Sequence, residues 1–235
     1  MLFLTWLWKS PNRDFAAQHV NVLRSMLKRH YGRHTLICMT DCPAGLNKGV
    51  EALPLPETGY EDIPNPQNLV YPRKNFPSCY RRLWLFSEEA RSLGDVIVNI
   101  DVDLIILQSI NDLFERDATF TGWSDEEAGW NKIAGGLFML KTGSHTEVWD
   151  KFDPETSPKV SMDAGFKGSD QAWMAYCLYP TESFWTNRDG LIKINHTPKH
   201  RLTPPNAKIV FTNGHRPPWH VRIKTDYPWV KQHWK

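Results

Sequence analysis

No stretch of this 235-residue chain stays apolar long enough to span a bilayer as a helix. Cysteine is scarce. Cys38, Cys42, Cys79 and Cys177 have a spacing that fits neither a zinc site nor a disulfide ladder, which predicts reduced thiols in a cytoplasmic protein. An excess of one charge is missing too. The 28 Lys+Arg stand against 26 Asp+Glu, a net charge of +2, so the basic footprint of a nucleic-acid binder is absent. The apolar N-terminus, Met1 to Trp8, has no basic segment before it and no small-residue cleavage site after it. It reads as a buried first strand and not as a signal peptide. Internal repeats and low-complexity tracts are also lacking.

What is present is the composition of an ordinary soluble globular protein, 41% hydrophobic and 23% charged. The length suits one large domain or two small ones, and no clean boundary divides it. Two excesses stand out: 11 Trp, and 17 Pro against 14 Gly. Tryptophan is costly at a surface unless it packs or binds something flat.

The chain opens strand, helix, strand. Leu2 to Trp8 is apolar throughout. Asp14 is placed to cap a helix starting near Phe15, where Val20, Leu23 and Leu27 recur at helical spacing and Gly32 stops it. His34 to Thr40 is the second strand. A crossover of this length predicts a parallel pair and an α/β sheet. Val50 to Leu53 reads as a short strand. Residues 54 to 77 read as a long proline-rich loop. Ser78 to Leu93 reads as a helix with Leu83, Phe86 and Ala90 in one stripe. Strands follow at Asp95 to Ile100, Gly136 to Leu140 and Ile209 to Phe211. Helices follow at Thr146 to Phe152 and Ser169 to Tyr179, the second capped by Ser169.

The most informative stretch is Val96-Ile97-Val98-Asn99-Ile100-Asp101-Val102-Asp103. An apolar run of this kind is a strand buried on both faces. Continued extension would point Asp101 and Asp103 the same way, at the carboxyl end of a central strand. In open α/β sheets, ligands bind at that edge. Two adjacent carboxylates repel, and a divalent cation such as Mg²⁺ or Mn²⁺ resolves the conflict while bridging to a substrate diphosphate. The bland alternative is a carboxylate pair capping a turn into solvent. A third use, the aspartyl nucleophile of haloacid-dehalogenase-like phosphatases, places the motif near the N-terminus with Thr or Val two residues beyond it. Here the motif is mid-chain and that residue is Ile105.

Four segments in order make the chain similar to nucleotide-sugar glycosyltransferases of the GT-A fold, family 8 in particular. They are the opening strand-helix-strand; Tyr80-Arg81-Arg82-Leu83-Trp84 leading to Asp101-Val102-Asp103; Ala134-Gly135-Gly136-Leu137-Phe138-Met139-Leu140 followed by Gly168-Ser169-Asp170-Gln171; and Phe211-Thr212-Asn213-Gly214-His215-Arg216-Pro217-Pro218-Trp219. The likeness spans residues 2 to 220. It implies a mixed, mainly parallel Rossmann-like sheet flanked by helices in a single domain, 1–220, with 221–235 an irregular tail packed on it.

The resemblance further implies metal-dependent transfer of a sugar, with retention, from a nucleoside-diphospho-sugar (UDP-linked) to a carbohydrate or other hydroxyl acceptor. Asp101 and Asp103 would hold Mn²⁺ or Mg²⁺, with His215, or water and diphosphate oxygens, as the third ligand. Asp101, Arg82, Gly135, Gly136 and Arg216 would contact the donor. Asp170, with Gln171 beside it, would orient the sugar near its anomeric carbon. Two departures from the family pattern are Ala134-Gly135 in place of Asn-Ser, and His215 after Gly214 instead of before it. A nucleotidyltransferase on a similar sheet is the rival enzyme. Those carry a glycine-rich loop after the first strand, whereas Lys9-Ser10-Pro11-Asn12-Arg13 has none. A non-catalytic nucleotide- or glycan-binding relative is the rival of another class.

The tryptophans divide on this map. Trp6, Trp8, Trp84, Trp149 and Trp173 are expected in the core. Trp123, Trp130, Trp185, Trp219, Trp229 and Trp234 fall in segments expected to ring the donor edge, and the first four of these are expected to bind acceptor.

Overall fold

The first strand, β1 (Leu2–Leu7), and the second, β2 (Thr35–Thr40), pair in parallel across the helix α1 (Ala17–His30). The chain is described here by a computed structural model over residues 1–10, 14–73, 75–124, 132–197, 203–212 and 216–235. β3 (Val50–Leu53) adds outside β2, and a four-residue helix α2 (Gln67–Val70) lies in the proline-rich loop. β4 (Val96–Ile100) pairs in parallel with β1 on its other side. β5 (Leu104–Ile106) then leaves the sheet, while β6 (Phe120–Trp123) and β7 (Ala134–Lys141) return to it. Helices α3 (Glu147–Asp150), α4 (Ser157–Asp163) and α5 (Asp170–Leu178) precede β8 (Ser183–Trp185). The main sheet has the order β3-β2-β1-β4-β7-β6-β8, and only β7 runs against its neighbours. β9 (Leu191–Lys193) and β10 (Ile209–Phe211) join β5 in a second, three-stranded sheet. Helices α6 (Val221–Asp226) and α7 (Val230–His233) close the chain.

Both faces of the main sheet are covered, as its continuous apolar strands require. Successive residues of β1 alternate between two cores. Phe3 and Leu7 face α1, the second sheet and the C-terminal helices, while Leu4 and Trp6 face the segment 80–86, α3 and α5. β4 alternates in the same way, with Val98 and Ile100 on the first side and Ile97 on the second. Asn99 is fully buried within it and satisfied. Trp6 Nε1 donates to its Oδ1 at 2.9 Å, and its Nδ2 donates to the Gly135 carbonyl at 3.0 Å.

Several local expectations change. Residues 78–93 are not one α-helix but two 3-10 helical segments, Tyr80–Phe86 and Glu88–Leu93, broken by an extended Ser87 (φ −75°, ψ 159°). In the first segment Tyr80, Arg82, Leu83, Trp84, Leu85 and Phe86 are all buried. A chain enclosed on every side has no amphipathic stripe to preserve, and the packing sets its winding. At α1 the N-cap is Ala16 and not Asp14. His19 accepts the Ala16 N–H at Nδ1 (3.0 Å), the role Glu or Gln has in a capping box. Ser169 does start α5, but its hydroxyl caps no helical N–H.

The C-terminal segment, expected to be irregular, forms α6 and α7. Tyr227, Trp229 and Val230 are buried, and Arg29 donates to the carbonyls of His233 (2.6 Å) and Lys235 (2.5 Å). Helices of six and four residues are too short to show a period in sequence.

The tryptophans divide differently as well. Trp123 (2% exposed) and Trp185 (0%) are core, and Trp185 Nε1 donates to the Leu113 carbonyl at 2.9 Å. Trp219 is half-buried and stacks on the His19 ring at 3.7 Å. Trp130 lies outside the described residues. An acceptor role for Trp123 and Trp185 is therefore replaced by packing. Two outcomes follow. Trp185→Ala should lower unfolding stability by about 3–5 kcal/mol in urea titrations, because the cavity is deep in the core. The second concerns pH. Burial holds His19 below its ordinary pKa of 6.5, Asp14 opposes that shift and Lys224 adds to it. A base with a lowered folded pKa contributes its full stability above 6.5 and loses it as pH falls below that value. Protonation would also abolish the Nδ1 acceptor and put a cation at a helix N-terminus. His19→Gln keeps an acceptor without titrating, so it should flatten the loss of stability between pH 7 and pH 5 seen in thermal melts.

Candidate active site

β1, β4 and β6 end at one edge of the main sheet, and β7 begins there. Asp101 follows β4 directly, and its N–H donates to the Gly136 carbonyl at 2.9 Å. The chain then turns at Val102 and Asp103 before β5. Side-chain alternation along an extended strand therefore does not apply to the two carboxylates. Asp101 and Asp103 flank a tight turn, and they are neighbours at the edge for that reason. Thr212 Oγ1 donates to the Asp103 carbonyl at 2.6 Å, and Phe211 pairs with Leu104. Thr212, just past β10, thus lies beside Asp103. Arg216 is exposed, while Gly214 and His215 lie outside the described residues.

Arg82 organises the other half. It is 7% exposed, within the first 3-10 segment. Its Nε donates to Asp170 Oδ2 at 2.8 Å, its Nη2 lies 2.8 Å from the same oxygen, and its Nη1 reaches Asp101 Oδ1 at 2.8 Å. Nη1 also lies 3.3 Å from the Gly135 carbonyl. Burial opposes the charge on Arg82, but Asp170, Cys79 and Asp101 together hold its pKa well above the ordinary value. Asp170 is 1% exposed at the start of α5, where the helix N-terminus favours a carboxylate. Ser169 Oγ donates to Asp170 Oδ1 at 3.1 Å and accepts the Cys79 N–H at 3.0 Å. The 3-10 segment and α5 are thereby locked together around the ion pair.

The two glycines have a defined reason. A Cβ on Gly135 would sit 2.9 Å from Arg82 Nη2 and 3.2 Å from Asp170 Oδ2. On Gly136 it would sit 3.0 Å from Asp101 Oδ2. Their missing side chains make room for the charged groups. Gln171 Oε1 accepts the Gly135 N–H at 3.3 Å, and Gln171 Nε2 donates to the Lys167 carbonyl at 3.1 Å. Trp123 stacks on Phe211 at 3.7 Å, with Lys193 Nζ 5.9 Å from its ring centre.

Asp101, Arg82, Gly135, Gly136, Asp170 and Gln171 are thus brought together. Asp103 joins them through the turn. Asp170 is tied to Asp101 through Arg82, with Ser169 Oγ on its other oxygen. Asn99 is part of the same assembly and was not singled out in the sequence, although a lone polar residue inside an apolar strand is a signal. Asp101 and Asp103 are hard oxygen donors of the kind Mg²⁺ or Mn²⁺ takes. Among the described residues no third His, Cys, Asp or Glu completes a cluster with them. The donor set fits a cation that draws its remaining ligands from water and a diphosphate, or from His215.

No family model matches the chain, and no curated protein matches it. Solved structures do. The chain is similar to the galactosyltransferase LgtC in complex with donor and acceptor sugar analogs, with a TM-score of 0.62 and 13% identity over 99% of this chain and 93% of that one. An active-site glutamine-to-glutamate mutant of LgtC gives the same values. The apo-form glycosyltransferase GlyE of Streptococcus pneumoniae TIGR4 has a TM-score of 0.56 and 13% identity, over 99% of this chain and 60% of that one. The fold is GT-A: one domain with a mixed, mostly parallel seven-stranded sheet and flanking helices.

Arg82→Met tests the buried ion pair. It leaves Asp170 buried without its cation and should cost about 3–5 kcal/mol of unfolding stability. Adding Asp170→Asn should recover part of that loss in the same denaturant titration.

Proposed function

We propose that this protein is a glycosyltransferase that moves a sugar from a nucleoside-diphospho-sugar to an acceptor hydroxyl. The observation that carries the reading is the Arg82 fork. It holds one aspartate of the Asp-Val-Asp turn at the carboxyl edge of a GT-A sheet. UDP is the donor nucleotide and configuration is retained, on the resemblance of the four sequence segments. The likeness to LgtC and GlyE supports glycosyl transfer as the class of reaction.

In this reading Asp101 and Asp103 would hold Mn²⁺ or Mg²⁺. Such a cation, when bound, stabilises negative charge on a leaving diphosphate. The chain's own residues do the rest. Arg82 fixes the orientation of the Asp101 carboxylate through a charge-assisted hydrogen bond. Asp170 and Ser169 fix Arg82 in turn. Gln171, bound to the Gly135 N–H, sets the wall facing the donor sugar. Arg216, exposed, would add positive charge for the same leaving group. The leaving diphosphate takes the acceptor proton, so no separate base is assigned. Four free thiols suit a reducing compartment, the cytoplasm.

A second reading rests on the same fork. Arg82 already neutralises part of Asp101, which suits a relative that binds nucleotide or glycan without turnover. Calorimetry showing donor binding with no released nucleoside diphosphate would select it.

The test is release of nucleoside diphosphate from a panel of donors with Mn²⁺ present. Wild type should turn over at least one donor. Asp101→Asn and Asp103→Ala should each lower kcat/KM by about 100-fold. Equal behaviour of wild type and both variants on every donor would sink the cation role. Release of pyrophosphate would assign nucleotidyl transfer instead.

A further inference from the structure

Asn99 is the polar residue of an otherwise apolar strand, and it is fully buried. The residues that share its side of the sheet, Leu4, Ile97 and Phe138, are apolar, so packing alone has no use for an amide there. A buried amide is tolerated when its polar atoms find partners. Here both do. The Trp6 indole can only donate, so it fixes the amide oxygen on its own side, at 2.9 Å. The amide nitrogen is thereby turned to the Gly135 carbonyl, at 3.0 Å. Asn99 thus reaches from the interior of the sheet to the first glycine of the candidate site.

The Gly135 carbonyl has two lone pairs. Asn99 meets one, and Arg82 Nη1 lies 3.3 Å from the same oxygen. Nη1 carries two N–H groups, and it also reaches Asp101 Oδ1 at 2.8 Å. One guanidinium nitrogen therefore couples the carbonyl that Asn99 holds to the aspartate at the edge. A chain of bonds runs Trp6, Asn99, Gly135, Arg82, Asp101, and it crosses β1, β4 and β7. The glycine backbone resists rotation little by itself, so its orientation has to come from such bonds. Without Asn99 the carbonyl keeps the 3.3 Å contact to Arg82, and the fork loses the fixed acceptor beneath it.

We propose that Asn99 is a positioning residue for group transfer at this edge, acting through Gly135 and Arg82 on the setting of Asp101. The kinetic consequence rests on the glycosyl-transfer reading, and the coupling of Asn99 to Arg82 does not. Loss of Asn99 leaves the charges that attract a donor in place and loosens their alignment. The effect therefore falls on kcat and not on donor KM.

Two variants separate this role from simple support of the fold. Asn99→Leu leaves the Trp6 N–H without an acceptor and should lower the thermal midpoint. Adding Trp6→Phe removes that orphaned donor, and replacing both polar partners by apolar groups should restore most of the midpoint. In both variants kcat with Mn²⁺ and the best donor should stay about tenfold below wild type, with KM within about twofold. Recovery of kcat together with the midpoint overturns the proposal, because it makes Asn99 a support of the fold alone. Should the double variant not fold, Trp6→Phe with Asn99→Val removes the same bonds with less bulk and carries the same expectation. A second measurement needs no turnover. Solvent exchange of the Arg82 guanidinium N–H groups, followed by ¹⁵N NMR without donor or metal, should be about tenfold faster in the double variant. Unchanged exchange overturns the proposal as well. Absence of turnover by wild type on every donor overturns the glycosyl-transfer reading, and the exchange measurement then decides the coupling by itself.

Discussion

The structure depends on one buried guanidinium. Arg82 lies between Asp170, which is nearly inaccessible, and Asp101, which is partly open to solvent. Removing such charges from water is expensive, and their attraction compensates only if every remaining polar group is satisfied. Here that condition is met from several elements at once. Ser169 Oγ donates to Asp170 while accepting the Cys79 N–H, and the Gly135 carbonyl lies within reach of Arg82. The ion pair therefore fixes the relative placement of the 3-10 segment, α5, β7 and the end of β4.

The rest of the edge follows from that placement. A Cβ on Gly135 would force Arg82 to shift, and one on Gly136 would crowd Asp101. Asn99, on the second-core side of β4, reaches the Gly135 carbonyl from inside the sheet and ties it to Trp6. The same strand that supplies the apolar centre thus supplies a polar anchor one residue before its end. The second sheet approaches from the other side, through Thr212 on the Asp103 carbonyl. Two structural units meet at a two-residue turn, which gives an Asp-Val-Asp segment a fixed setting without extended geometry.

Aromatic residues act mostly as packing in this arrangement. Trp123 and Trp185 pair across β6 and β8 and are sealed in, although they lie at the strand ends where a ligand contact was expected. Trp219 and Trp234 pack near His19 and clamp the C-terminal helices to the start of α1. The apolar surface left uncovered is concentrated instead at Leu69, Val70 and Tyr71, in a loop that sequence patterning read only as proline-rich.

The sequence by itself determined the alternation of strands and helices, the burial of both sheet faces and the position of Asp101 at a strand end. These are encoded locally, because the period of apolar residues reports which faces meet a core. Only the tertiary structure decided what Arg82 binds, because its partners lie 19 and 88 residues away in sequence. It also decided that 80–93 winds as two 3-10 segments, that the tail is helical and that Trp123 and Trp185 are core. In each case the deciding term is contact with distant segments, which outweighs the small free-energy differences among local conformations.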